Sequence, residues 1–184
     1  MIIAFGHQKQ MGKDTAVNAI SERILCNYVA LADPLYEICE IMQPDFENKF
    51  YYDKYPYKKN EKLNCGKTPR ELLIDTGQKL KEVYGKHCWV DIAIAGKRTE
   101  VLLISDLRYK EEAERLKEHN AILVKVIRPG VEVSSDSADD DLLYWDGWDH
   151  ILVNDCSLKK FKMKAIDLYE RIINDKCADG MARM

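Results

Sequence analysis

The first stretch of the chain constrains its fold more than any other. Four apolar residues, Ile2 to Phe5, run straight into Gly6-His7-Gln8-Lys9-Gln10-Met11-Gly12-Lys13-Asp14-Thr15, and apolar residues return at Val17, Ile20 and Ile24. The short apolar run reads as a buried strand, and the spacing behind it as a helix. A strand that passes through a glycine-bearing turn into a helix is the first half of a β-α-β unit. It commits the chain to a parallel sheet with crossover helices. Such a turn also aims backbone N–H groups and a helix N-terminus at one point, a geometry suited to phosphate.

Four further runs read as doubly buried strands: Tyr28 to Ala32, Val101 to Ser105, Ala121 to Ile127, and His150 to Val153. Helical signals lie between them. Asp33-Pro34 offers an N-cap and a proline at the first helical position, followed by Leu35, Ile38 and Met42. Thr68-Pro69-Arg70-Glu71 is a capping box opening a helix with Leu72, Leu73, Leu80 and Val83. Phe161, Ala165, Leu168 and Ile172 mark a long amphipathic helix. The expected fold is α/β, a five-stranded parallel sheet with helices on both faces, built as one domain over residues 1–184.

Two stretches break the alternation. Pro44 to Lys67 is polar and rich in tyrosine and lysine. Val131 to Gly147 is acidic, with Asp136, Asp139, Asp140, Asp141 and Asp146, and holds no arginine or lysine. Long irregular segments in compact domains often serve as lids or binding loops.

Charge and cysteine content narrow the partners. A formal net charge of -3 argues against a polymeric nucleic acid, whose backbone calls for a basic excess. The six cysteines include no Cys-x-x-Cys pair, so neither zinc nor a disulfide framework is expected. No apolar run approaches the roughly 20 residues that span a bilayer, and no secretory leader is seen. Reduced thiols in a cytoplasmic protein, away from membranes, are the expectation.

Within the glycine-bearing turn, Lys13 is placed to reach the β- and γ-phosphates of a nucleotide, and the Thr15 hydroxyl to lie near magnesium. Two departures from the general phosphate-loop pattern stand out. His7 occupies the place of the first glycine, with Gly6 one residue before it, and Asp14 separates Lys13 from the hydroxyl residue. The run Leu102-Leu103-Ile104-Ser105-Asp106-Leu107-Arg108 ends a strand with an acid and then an arginine. At the carboxyl end of a parallel strand, Asp106 would lie in the ligand crevice and hold magnesium through water, or cap the following helix, and both roles can hold at once. Arg70, in a first helical turn, opposes the helix dipole, a cost that an anionic ligand would offset. Arg128, before Pro129 at the end of the fourth strand, raises the same question. Trp89, Trp145 and Trp148 are candidates for stacking a base or for the core.

Taken together, these segments resemble the deoxynucleoside monophosphate kinases of bacteriophages. The resemblance runs through Phe5-Gly6-His7 to Gly12-Lys13-Asp14-Thr15, Ala32-Asp33-Pro34-Leu35, Thr68-Pro69-Arg70-Glu71-Leu72-Leu73 and His87-Cys88-Trp89. It continues through Ile104 to Tyr109 with Glu112-Ala113, then Ile127-Arg128-Pro129 and Asp149 to Asn154. It implies a three-layer P-loop kinase fold with an acceptor-binding insertion near 44–86 and a lid-like segment near 131–147. It implies transfer of a phosphoryl group from ATP, with Mg2+, to a deoxynucleoside monophosphate by a monomer or homodimer. Gly6, His7, Gln10, Met11, Gly12, Lys13, Asp14 and Thr15 would surround the ATP phosphates, with Thr15 and Asp106 at the metal. Arg70 would clamp the acceptor phosphate, and Arg108 and Arg128 would neutralise charge on the transferring group. Lys58 and Lys62 would belong to the acceptor side.

Overall fold

The computed structural model describes residues 1–131 and 141–181. Its elements in chain order are β1 (Ile2–Gly6), α1 (Lys13–Ser21), β2 (Asn27–Val29), α2 (Asp33–Met42), α3 (Lys49–Lys54), a 3-10 turn (Pro56–Asn60), α4 (Pro69–Tyr84) and α5 (Cys88–Ala95). They continue with β3 (Leu102–Leu107), α6 (Lys110–Glu118), β4 (Ile122–Ile127), β5 (His150–Val153) and α7 (Leu158–Met181). The residues fall into two compact units, one formed by 1–29 with 96–184 and the other by 30–95.

The first unit holds one five-stranded sheet in the order β2-β3-β1-β4-β5, every adjacent pair parallel. The expected five parallel strands are all present, with shifted ends. β2 covers only Asn27–Val29, and β3 continues through Asp106 to Leu107. The chain leaves β1 through α1 toward β2 on one side, and leaves β3 through α6 toward β4 on the other. Right-handed crossovers in opposite directions place α1 and α6 on opposite faces, which makes a three-layer α/β arrangement.

Alternation along the strands divides the core. Ile3, Phe5, Leu103, Val124, Val126 and Leu152 face α1 and α7, where Ala16, Val17, Ile20, Phe161, Ala165, Leu168 and Ile172 meet them. Each fully buried aliphatic or aromatic side chain contributes roughly 1.5–3 kcal/mol. Met11, from the loop after β1, is part of the same cluster. The loop at 7–12 is thereby anchored in the core and is not a free surface turn.

β5 enters the sheet under the control of Asp149. Its carboxylate accepts from the Leu123 N–H at 2.7 Å and from Lys117 Nζ at 2.6 Å, and its own N–H donates to the Leu123 carbonyl oxygen.

The second unit, taken by itself, is helical. Tyr36, Cys39, Phe46 and Tyr52 form its buried cluster, with Leu72 and Leu73 of α4 packed against them. The Thr68 capping box is present: the Thr68 hydroxyl accepts from the Glu71 N–H at 3.2 Å, and the Glu71 carboxylate accepts from the Thr68 N–H at 2.7 Å. That backbone N–H holds the Glu71 carboxyl below its usual range. Asp33 does not stand at the N-cap as expected. Ala32 does, and the Asp33 carboxylate turns back to accept from the Ala30 N–H at 2.8 Å.

Among the described residues no helix is long and apolar enough to cross a membrane. Cys26, Cys39, Cys65, Cys88 and Cys156 are free thiols. Of the lid-like segment, residues 132–140, including Asp136, Asp139 and Asp140, lie outside the described residues.

Candidate functional site

Because the strands are parallel, their carboxyl ends share one edge, where a doubly wound sheet opens its ligand crevice. β1 is the central strand, so the loop at 7–12 rises from the middle of that edge. Asp106 and Arg108 stand at the end of β3 on one side, and Arg128 follows β4 on the other.

The loop backbone carries the conformations that such a turn demands. His7 has φ 97°, Gln10 φ 60° and Gly12 φ 103°. His7 therefore adopts the left-handed backbone that the general pattern assigns to glycine, at a cost of roughly 1–2 kcal/mol for a residue with a Cβ. Gly6 has a separate reason to lack a side chain. A Cβ there would stand 2.5 Å from Cη2 of Trp148 and 3.0 Å from the Leu107 carbonyl oxygen. Trp148 packs over the start of the loop, and its ring meets Trp145 edge to face at 5.1 Å between centroids. Trp89 is buried, in the second unit.

Lys13 opens α1 and is only 6% exposed. Its ammonium donates to the His7 carbonyl oxygen at 2.8 Å and to the Gln8 carbonyl oxygen. The loop's own carbonyls thus hold the cation at the mouth of the turn. Beside it lies a cavity of about 450 Å³, lined by Gln10, Gly12, Lys13, Asp14, Thr15 and Arg128 together with Asn154, Cys156, Leu158 and Phe161. Among the described residues, the structure brings Lys13, Thr15 and Arg128 to one cavity.

Asp106 sits in an irregularity of β3. Ala4 pairs with Ile104 and Gly6 with Leu107, so one residue of β1, Phe5, faces two of β3, Ser105 and Asp106. A bulge of this kind re-aims side chains at a strand end. Asp106 is not a helix cap. Tyr109 holds that position on α6, where the buried Glu112 carboxylate accepts from the N–H groups of Tyr109 (3.2 Å) and Arg108 (3.4 Å). Ser105, next to Asp106, is buried, and the Tyr28 hydroxyl lies 3.2 Å from its Oγ and 3.3 Å from Asp14 Oδ1. Tyr28 therefore ties the first turn of α1 to the bulge.

Arg70 is the second residue of α4, exposed, and makes no ion pair among the described residues. It belongs to the second unit. Lys58 is paired with Glu61 at 2.7 Å and lies over the Tyr57 ring, whereas Lys62 is exposed. Five residues at the site carried no role in the sequence reading: Tyr28, Asn154, Cys156, Leu158 and Phe161. The repeat at Phe161, Ala165, Leu168 and Ile172 gave only a core-facing helix, and nothing local marked Phe161 as a wall of the cavity.

The donor chemistry fits a magnesium nucleotide. Thr15 and Asp106 offer hard oxygen ligands, and magnesium in phosphate-transfer sites takes one or two carboxylates with the phosphates completing its shell.

No family model matches the chain. A curated protein of Acanthamoeba polyphaga mimivirus, described as "Putative deoxynucleotide monophosphate kinase", is 25% identical over 193 residues, taking in 96% of this chain and 95% of that protein. Among solved structures, an unliganded sugar kinase from Janibacter sp. matches with a TM-score of 0.43 at 10% identity, over 92% of this chain and 93% of that one. The relative that matches this chain from end to end is thus one named as a kinase.

Proposed function

We propose that this protein transfers the γ-phosphoryl group of ATP to a deoxynucleoside monophosphate, giving ADP and a deoxynucleoside diphosphate. The observation that carries the reading is the buried Lys13 ammonium at the mouth of a strand–loop–helix turn, beside a cavity that also holds Thr15 and Arg128. The mimivirus relative, named for that reaction, supports the choice of acceptor.

The loop N–H groups and the N-terminus of α1 would hold the ATP phosphates, with Lys13 exchanging its backbone carbonyl partners for β- and γ-phosphate oxygens. Arg128 and Arg108, just past the ends of the strands flanking β1, would take up charge on the group in transit, and Arg70 would hold the acceptor phosphate by its planar fork. Magnesium, when bound, would neutralise phosphate charge, with Thr15 and Asp106 as its protein-side ligands. An acceptor phosphate oxygen then forms the new P–O bond as the bond to the ADP oxygen breaks. The acceptor is already ionised at neutral pH, so positioning and charge neutralisation suffice without a dedicated base.

ADP release measured across the deoxynucleoside monophosphates and other phosphorylated acceptors tests the reading. Acceptor-dependent ADP formation is expected with one or more of them, falling at least about a hundredfold in Lys13→Ala. Tight ATP binding with no acceptor-dependent ADP, or wild-type turnover in Lys13→Ala, would sink it.

A further inference from the structure

The loop that would hold the phosphates is fastened by a residue far away in sequence. Asn154 follows β5, and its Nδ2 donates to the Met11 carbonyl oxygen at 3.0 Å across 143 positions of chain. Its own backbone N–H donates to the Ile127 carbonyl oxygen at 2.8 Å, one residue before Arg128. The next residue, Asp155, accepts from Lys164 of α7 at 2.6 Å. Asn154 is thus fixed to the end of β4, its neighbour is tied to α7, and its amide reaches the loop.

The peptide that Asn154 holds is a sensitive one. Met11 is rooted in the apolar core by its side chain, and Asn154 fixes its carbonyl. A peptide unit is planar and trans, so the Gly12 N–H points the opposite way from that carbonyl. Gly12 is the N-cap of α1 at φ 103°, and its carbonyl accepts the first helical bond from the Ala16 N–H at 3.0 Å. Its N–H is therefore one of the orphan donors that a helix N-terminus offers to an anion. The fit is close: a Cβ on Gly12 would meet Asn154 Nδ2 at 2.7 Å and Phe161 Cε1 at 3.1 Å. Asn154 also lines the same cavity as Lys13 and Thr15.

We propose that Asn154 is a positioning residue for the phosphate loop, acting through the Met11 carbonyl to keep the Gly12 N–H turned toward a bound triphosphate. The proposal rests on the reading of this loop as the ATP site. It explains the residue type by chemistry. An aspartate of the same shape would set a carboxylate against the carbonyl oxygen and bring negative charge to an anion site. An alanine would leave the carbonyl untethered.

The test measures binding of inorganic tripolyphosphate and of ATP by titration calorimetry to the wild-type chain, Asn154→Ala, Asn154→Asp and Lys13→Ala, with melting curves for each. Tripolyphosphate has no base or sugar, so it reports on the loop alone. The expected result is folded variants that bind it about tenfold more weakly for Asn154→Ala and more weakly still for Asn154→Asp. The KM for ATP should rise, and the KM for the acceptor should stay unchanged. A purely structural asparagine would lower the melting temperature and leave the dissociation constant alone. Dissociation constants within twofold of wild type would overturn the proposal, as would loss of folding in both variants, because the role assigned is to a loop and not to the core. If Lys13→Ala also binds as wild type does, the ATP-site reading fails with it. If only Lys13→Ala weakens binding, the inference about Asn154 fails alone.

Discussion

The loop after β1 and the lysine- and tyrosine-rich stretch at 49–60 are both built around cations, and they use them in opposite ways. In the loop a single ammonium, Lys13, is buried and held by backbone carbonyls, and the conformations at residues 7, 10 and 12 leave little choice of backbone. In the second stretch the ammonium groups sit at the surface, each matched to a carboxylate or a ring. Lys49 lies 3.3 Å from Asp33, Lys59 3.4 Å from Asp53, and Lys58 2.7 Å from Glu61, while Lys54 and Lys58 lie over Tyr55 and Tyr57. Where the backbone does the binding, shape is exacting and a methyl group counts. Where side chains are paired in solvent, each contact is weak and replaceable.

The contrast can be broken at its strongest point first. Gly12→Ala forces a Cβ into a left-handed backbone and against Asn154 and Phe161. It should cost about 1–3 kcal/mol in thermal or urea unfolding and abolish measurable ATP binding. A folded Gly12→Ala that binds ATP normally would show that the loop is far more forgiving than its geometry implies.

A finer test lies at His7. If its φ of 97° is strained, His7→Gly should unfold later than His7→Ala, by roughly 1 kcal/mol. Both variants lose the imidazole, but only glycine removes the strain. Equal melting points would mean that the left-handed backbone carries no cost there. The smallest effect belongs to the second region. Glu61 holds the Lys58 ammonium above its usual range, yet that pair is exposed, so Lys58→Ala should leave the melting temperature unchanged within error. A clear drop would place this stretch in the same class as the loop.

Much of this architecture was legible in the sequence because it follows from local rules. Ile2 to Phe5 and the repeat at Val17 and Ile20 gave β1 and α1, although Ile24 falls past the helix's end at Ser21, and the Thr68 to Glu71 box gave the start of α4. The irregular register at Ser105 and Asp106 was not legible. It exists only in the pairing of β3 with β1, and it carried the strand past the expected end at Ser105. Nor could the sequence explain Gly6, whose empty side is filled by an indole 142 positions away. The roles of Tyr28 and Asn154 were hidden for the same reason. A side chain that acts across the sheet carries no periodic signal, and an isolated tyrosine or asparagine reads like any other.

The tie between Met11 and Asn154 also sets a clock. A ribosome adds about 5–20 residues per second, so the 143 positions between them take roughly 7–30 s to make. Through that interval the nascent chain has its lysine and its glycines but not the strand that fastens the loop. On the proposed reading of this loop, the fastener would be in place only once Asn154 has emerged, and ATP bound there would then favour the finished fold over any partly made one.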